Sequence, residues 1–276
     1  MNMDQTRRNL LIGGSVLGAC LIGGLLPTAC AMRQIAMGPA RPMGSLPKRP
    51  AGEAKPMLDE DIAPVLARLD AWYAAHLPRD RYILNPPATD AQIDIFEQVV
   101  GFRMPRSYRQ LYKWHDGEND DRSGHIYGLP LLPLKQAEAD WKAWIRTLAG
   151  FGGNRYPVPG GAWPEGAVDP AYFNPRWVPL TSDGSGGHIG LDFAPWPRGR
   201  AGQVILFGRD EDVKVVLAES LGGFLDWVAG LLESGNFRLK AASGEVVLRQ
   251  FRLKEPPSDH FHEGARKLRG APGQFL

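Results

Sequence analysis

His188 and Asp192 are the first pair to invite a chemical reading. They lie four residues apart in His188-Ile189-Gly190-Leu191-Asp192-Phe193. In an extended chain a period of two places His188, Gly190 and Asp192 on one face and Ile189, Leu191 and Phe193 on the other. An imidazole and a carboxylate on one face could begin a metal site or an acid–base pair. Two ligands fall short of a zinc set, and only His115 and His125 offer a third. Ser182, Asp183 and His188 are the residue types of a hydrolytic triad. They share one short loop, whereas a nucleophile, its base and the orienting acid normally arrive from separate loops, and no Gly-x-Ser-x-Gly elbow accompanies them. The glycines of Asp183-Gly184-Ser185-Gly186-Gly187 suit a phosphate cradle. The loop lacks the following lysine, however, and leads into strand-forming residues, so a turn explains it better. No catalytic residue, metal or cofactor is assigned, and the expectation is a non-enzyme.

The acidic residues offer better material. Asp116 and Glu118 follow one helical stretch, Asp210 and Glu211 stand at a hairpin tip, and Asp183 and Asp192 flank the strand of His188. Together with His188 they are the predicted partner-binding set, an acidic edge that would steer a basic protein partner. Charge runs in loops are more often solvated turns, which is the competing reading. The formal net charge of +2 with pI ≈ 8.5 is too mild and too scattered to argue for nucleic acid. Cys20 and Cys30 are both near the N-terminus, so the body carries no thiolate metal site and no disulfide.

The elements that would position these residues are short. Runs at 178–180, 188–193, 204–207 and 213–217 are rich in strand formers and broken by Gly, Pro and Asp, as in a compact sheet. The run Val204-Ile205-Leu206-Phe207 has no polar member and should be covered on both faces. Apolar residues at helical spacing predict helices over 58–76, 89–100, 105–116, 134–149 and 220–235, and Thr89 with Gln92 makes a capping box. Residues 245–253 alternate as an edge strand, and Ser258 opens a short last helix. The long segment 150–175 carries Tyr156, Trp163, Tyr172 and Phe173, which would pack on the body.

Ahead of this body, Arg7-Arg8 precedes an apolar run from Leu10 to Leu26 and small residues through Ala31, the order of an export signal. Leu26-Pro27-Thr28-Ala29-Cys30 is similar to a lipobox, with Cys30 as the lipidation site; cleavage after Ala31, or an uncleaved membrane anchor, are the alternatives. Residues 31–57 are rich in Pro, Gly and basic types and predict a flexible linker.

From residue 90 onward the motifs follow a recognisable order: Met104-Pro105-Arg106-Ser107-Tyr108, Asp116-Gly117, Thr181-Ser182-Asp183-Gly184-Ser185-Gly186, Gly190-Leu191-Asp192 and Gly202-Gln203-Val204. This resembles the SUKH superfamily, which includes the Smi/Knr-type cell-wall assembly regulator domain. The likeness covers about residues 90–236, with 150–175 as an insertion and 237–276 as an extension of a domain spanning 58–276. It implies an α+β fold, a small mixed or antiparallel curved sheet covered by helices. It also implies a protein partner, most often a toxin that such domains neutralise. The expectation is therefore an exported protein-binding module in the periplasm or cell envelope, a membrane-tethered lipoprotein serving as an immunity protein. An envelope hydrolase centred on His188 and Asp192, or a cell-wall assembly factor, are the alternatives.

Overall fold

Val204, Ile205, Leu206 and Phe207 are fully buried, and they form the middle of the sheet around which the chain folds. The computed structural model describes residues 48–77, 82–118, 124–150, 161–241 and 249–273. Arg7, Arg8 and Cys30 lie outside them. The main sheet has the order β1-β5-β4-β3-β2. Its strands are β1 (Ala162–Trp163), β2 (Trp177–Pro179), β3 (Gly187–Asp192), β4 (Gln203–Gly208) and β5 (Lys214–Ala218). Strands β2 to β5 pair antiparallel and β1 joins β5 in parallel, so the sheet is mixed. With the helices below, this is the α+β class expected.

Alternate side chains along a strand leave by opposite faces, and here both faces are covered. Ile189, Leu191, Val204, Leu206, Val215 and Leu217 enter the larger core, with residues of helices α1 (Ala63–His76), α2 (Asp90–Val100), α3 (Arg106–Trp114), α5 (Leu221–Glu233) and α6 (Phe261–Leu268). Ile205 and Phe207 enter a second core with Trp144 and Leu148 of α4 (Leu134–Gly150) and with Ala167, Val168, Phe173 and Trp177. The described part of the inserted segment, 161–175, therefore roofs the second face.

Local chemistry explains the helix ends. Thr89 and Gln92 form the expected capping box at α2, which stops at Gly101 in the left-handed conformation. The first helix starts later than expected, at Ala63 rather than near residue 58. Glu60, ahead of that start, accepts from Ser220 Oγ (2.5 Å) and the Gly222 N–H (3.1 Å), at the N-terminus of α5. There a carboxylate complements the exposed N–H groups and the helix dipole. The linker drawn to residue 57 meets the body earlier: Arg49 donates to the Pro195 carbonyl, and Lys55 pairs with the backbone at Gly199 and Ala201.

Strand β7 (Arg249–Leu253) confirms part of the run at 245–253, but its partner is β6 (Phe237–Ala241), in a separate two-stranded ribbon. Position 237 follows the α5 stop at Gly235, and nothing in the five residues Phe237-Arg238-Leu239-Lys240-Ala241 marks them as a strand except alternation.

Candidate partner-recognition edge

One end of the main sheet gathers four segments: the loop 182–187 before β3, the turn 208–213 between β4 and β5, the start of α6, and Asp140 on α4. The loop is shaped by Asp183, whose Oδ1 accepts from the N–H groups of Ser185 (2.7 Å) and Gly187 (2.8 Å). Gly187 leaves room for that carboxylate: a Cβ there would stand 2.3 Å from Asp183 Oδ2 and 3.0 Å from His262 Cε1, so the Asp183 side chain would have to shift. The loop is pinned to the neighbouring turn by the Arg209 N–H, which donates to the Gly186 carbonyl.

Beneath this rim lies a buried ionic cluster. Glu211 accepts from Arg266 Nη2, Arg266 also donates to the Val213 carbonyl (3.1 Å), and His262 Nδ1 stands 3.4 Å from Glu211 and 3.8 Å from Asp183. His262 and Arg266 are one turn apart on α6, so a single helix face supplies both partners of Glu211. Burial works against the Glu211 carboxylate, but His262 and Arg266 outweigh it and hold it below the usual range. Burial likewise works against Asp183, and the Ser185 and Gly187 N–H groups with the His262 ring outweigh it. Lys214, fully buried, donates to the carbonyls of Glu211 (2.8 Å) and Gly208 (3.2 Å); desolvation brings its pKa down to about 7, against the pull of Glu211.

The seven predicted residues are thus divided. Asp183 and Asp210 are exposed at this edge, Asp210 paired with Arg209 beside it. Glu211 belongs to the same end but is only 7 % exposed, an interior ion-pair member and not a docking charge. His188 also lies at this end and is buried: its Nδ1 donates to the Thr181 carbonyl at 2.9 Å, with Asp140 at 4.0 Å. Burial holds its imidazole below the usual pKa, so it is neutral at pH 7. The face assigned to His188 and Asp192 is correct, but that face is closed by α4 and 161–175.

The other three do not join the edge. Asp192 ends β3, about 13 Å from His188 at the strand rise. It is fully buried, accepting from the Ala194 N–H (2.9 Å) and Gln203 Nε2 (3.0 Å). Desolvation pushes it up to about 7 against those hydrogen bonds. Since its folded pKa is raised, it holds more protons folded than unfolded, and stability is lost as pH rises from about 4 to about 7. Asp192→Asn should flatten that slope, read as the urea midpoint across the same pH range. Asp116 caps α4 through the Leu134 N–H (2.8 Å), and Glu118 is interior, accepting from the His125 and Leu131 N–H groups (3.0 and 2.8 Å) with His125 Nδ1 at 3.0 Å. His262 and Arg266 were the residues missed. Their i, i+4 spacing on one short helix was the available signal.

A helix-roofed mixed sheet is the α+β arrangement that the resemblance to the SUKH superfamily implies. The family model for the SMI1 / KNR4 family (SUKH-1) matches residues 87–227, and the chain belongs to that family. It is similar to the cell wall assembly regulator SMI1 of Saccharomyces cerevisiae, 32% identical over 232 residues, covering 70% of this chain and 46% of that protein. The cell wall biosynthesis/cell cycle regulator smi1 of Schizosaccharomyces pombe is 36% identical over 182 residues, covering 62% of this chain and 36% of that protein. The glucan synthesis regulatory protein of Neurospora crassa is 26% identical over 270 residues, covering 86% and 51%. The chain thus spans about half or less of these relatives' length.

These relatives correct the expected location. A tethered lipoprotein of a periplasm or cell envelope does not fit a set of fungal regulators of wall assembly and glucan synthesis. The order of basic, apolar and small residues at the N-terminus was the whole basis of that placement. Among the described residues, no helix is long and apolar enough to cross a membrane.

Proposed function

We propose that this chain is a non-catalytic, protein-binding regulatory domain of cell-wall assembly. The observation that carries this is the match over 87–227 together with relatives named as regulators of wall assembly, wall biosynthesis and glucan synthesis. Of the alternatives drawn from the sequence, a wall-assembly factor is better supported by those names than a toxin-neutralising immunity protein. The geometry agrees with binding. The groups that could do chemistry are occupied in holding the fold: His188 on Thr181, Asp192 on Ala194 and Gln203, Glu211 on Arg266. What the sheet end offers to solvent is the loop 182–187 and Asp210.

The partner meets this edge, with Asp183 and Asp210 as its charged contacts; His188 and Glu211 act behind it, while Asp116, Glu118 and Asp192 hold the fold elsewhere. The paired substitution Asp183→Asn and Asp210→Asn should weaken partner capture by about tenfold, since the amide keeps the Asp183 turn acceptor while both charges go. Affinity capture from the producing strain, followed by titration of the recovered partner, checks it. Unchanged affinity removes the edge from the proposal.

A further inference from the structure

The β6–β7 ribbon lies outside the stretch that the family model matches, and its two faces are unlike. Phe251 and Leu253 are buried, and Phe237 and Leu239 pack beside them. The opposite face sets Arg238 directly across from Arg252 in the strand register, with exposed Lys254 two residues further on. Like charges directly opposite each other on a sheet are unfavourable. Partial compensation comes from Asp259, 3.2 Å from Arg238 and itself 66% exposed, and the same Arg238 Nη2 donates to the Ser258 carbonyl at 3.3 Å. The hydrogen bond Arg252 makes is a long one, 3.5 Å to the Tyr127 carbonyl. The Nε atoms of both arginines are shielded from solvent and bond to nothing. Desolvation weakens the hold of Arg252 on its proton; Asp259 and Tyr82 oppose this and Arg238 adds to it.

Two guanidinium groups opposed across the ribbon, the Arg238 side chain 38% exposed, match a doubly charged tetrahedral oxyanion, which takes several charge-assisted hydrogen bonds at once. With Asp259 already offsetting one charge, a phosphoryl group is favoured over a carboxylate by its three acceptor oxygens against two. We propose that Arg238 and Arg252 form a docking site for a phosphorylated side chain of a protein partner. The inference rests on the protein-binding reading above but uses a different surface. Phosphorylation of the partner would add its charge where this ribbon carries an excess of cation, and so would switch docking on.

The test follows the Arg side-chain Nε–Hε resonances by NMR while the full chain is titrated with three probes: inorganic phosphate, a short Gly/Ala-flanked phosphoserine peptide, and its unphosphorylated twin. Shifts at Arg238 and Arg252 are expected, with the phosphopeptide bound about tenfold or more tighter than inorganic phosphate. No response from the unphosphorylated peptide is expected. Arg238→Gln and Arg252→Gln should each lose that binding while melting no lower than the parent, because each removes one of two opposed charges. Arg252→Lys separates charge from fork geometry and should keep only part of the affinity. Equal affinity for phosphate and phosphopeptide, no shift at either arginine, or full binding in both Gln variants would overturn the proposal. Partner capture that persists through Asp183 and Asp210 while the phosphopeptide fails to bind would sink this site and leave the protein-binding reading standing.

Discussion

Arg266→Ala is expected to lower stability by about 3–5 kcal/mol, the usual cost of stranding a buried ion-pair partner. Arg266 is 3% exposed, and its guanidinium joins the Glu211 carboxylate to the Val213 carbonyl. Truncation leaves Glu211 buried with less positive charge beside it, His262 Nδ1 at 3.4 Å and the Lys214 charge remaining. It also frees α6 from the sheet, since His262 and Arg266 are the polar tie between them. The paired change Glu211→Met with Arg266→Met should recover most of the loss, because no charge is then buried alone. Lys267→Ala, on the same helix in an exposed pair with Glu263, should cost less than about 0.5 kcal/mol. Urea denaturation of the four proteins reads all three comparisons. The pH dependence has a definite sign. The folded pKa of Glu211 is depressed, so its stabilisation is full above its unfolded value near 4.3 and is lost as pH falls through the folded one. Arg266→Ala should therefore lose less on acidification than the parent.

Phe173→Ala is the second large effect, about 3–5 kcal/mol. Phe173 is fully buried, stacked on Trp144 with centroids 5.2 Å apart and edge-on to Trp177 at 5.9 Å. It comes from the inserted segment, so the size of its effect reports whether 161–175 is part of the core or a dispensable surface loop. A large loss with a fall in m would mean that the second face of the sheet opens with it. A loss below about 1 kcal/mol would show that α4 alone covers that face.

The uneven legibility of the sequence follows from the range over which each residue is determined. Val204 to Phe207 have no polar member, so their burial on both faces is stated locally, and Thr89 with Gln92 names its helix start in four residues. The strand β1, two residues joined in parallel to β5, has no period to detect. His188, Asp192 and Glu211 look like solvated polar groups because nothing within a few residues covers them. Their burial comes from α4, from 161–175 and from α6, which are remote in sequence. Glu118 is the same case, closed in by His125 and Leu131. Of the seven residues expected at an exposed acidic edge, only Asp183 and Asp210 are exposed in the structure. Asp116 showed its part more openly, as an acid followed by glycine at a helix-connecting turn. It caps the start of α4 through the Leu134 N–H.

The recognition edge is most directly tested by hydrogen exchange of the backbone amides, read by mass spectrometry with and without the captured partner. The account predicts slowed exchange concentrated in 182–187 and 208–212 at the open end of the sheet. Exchange unchanged there, with protection falling on the α1–α5 side or on the buried strands alone, would contradict it.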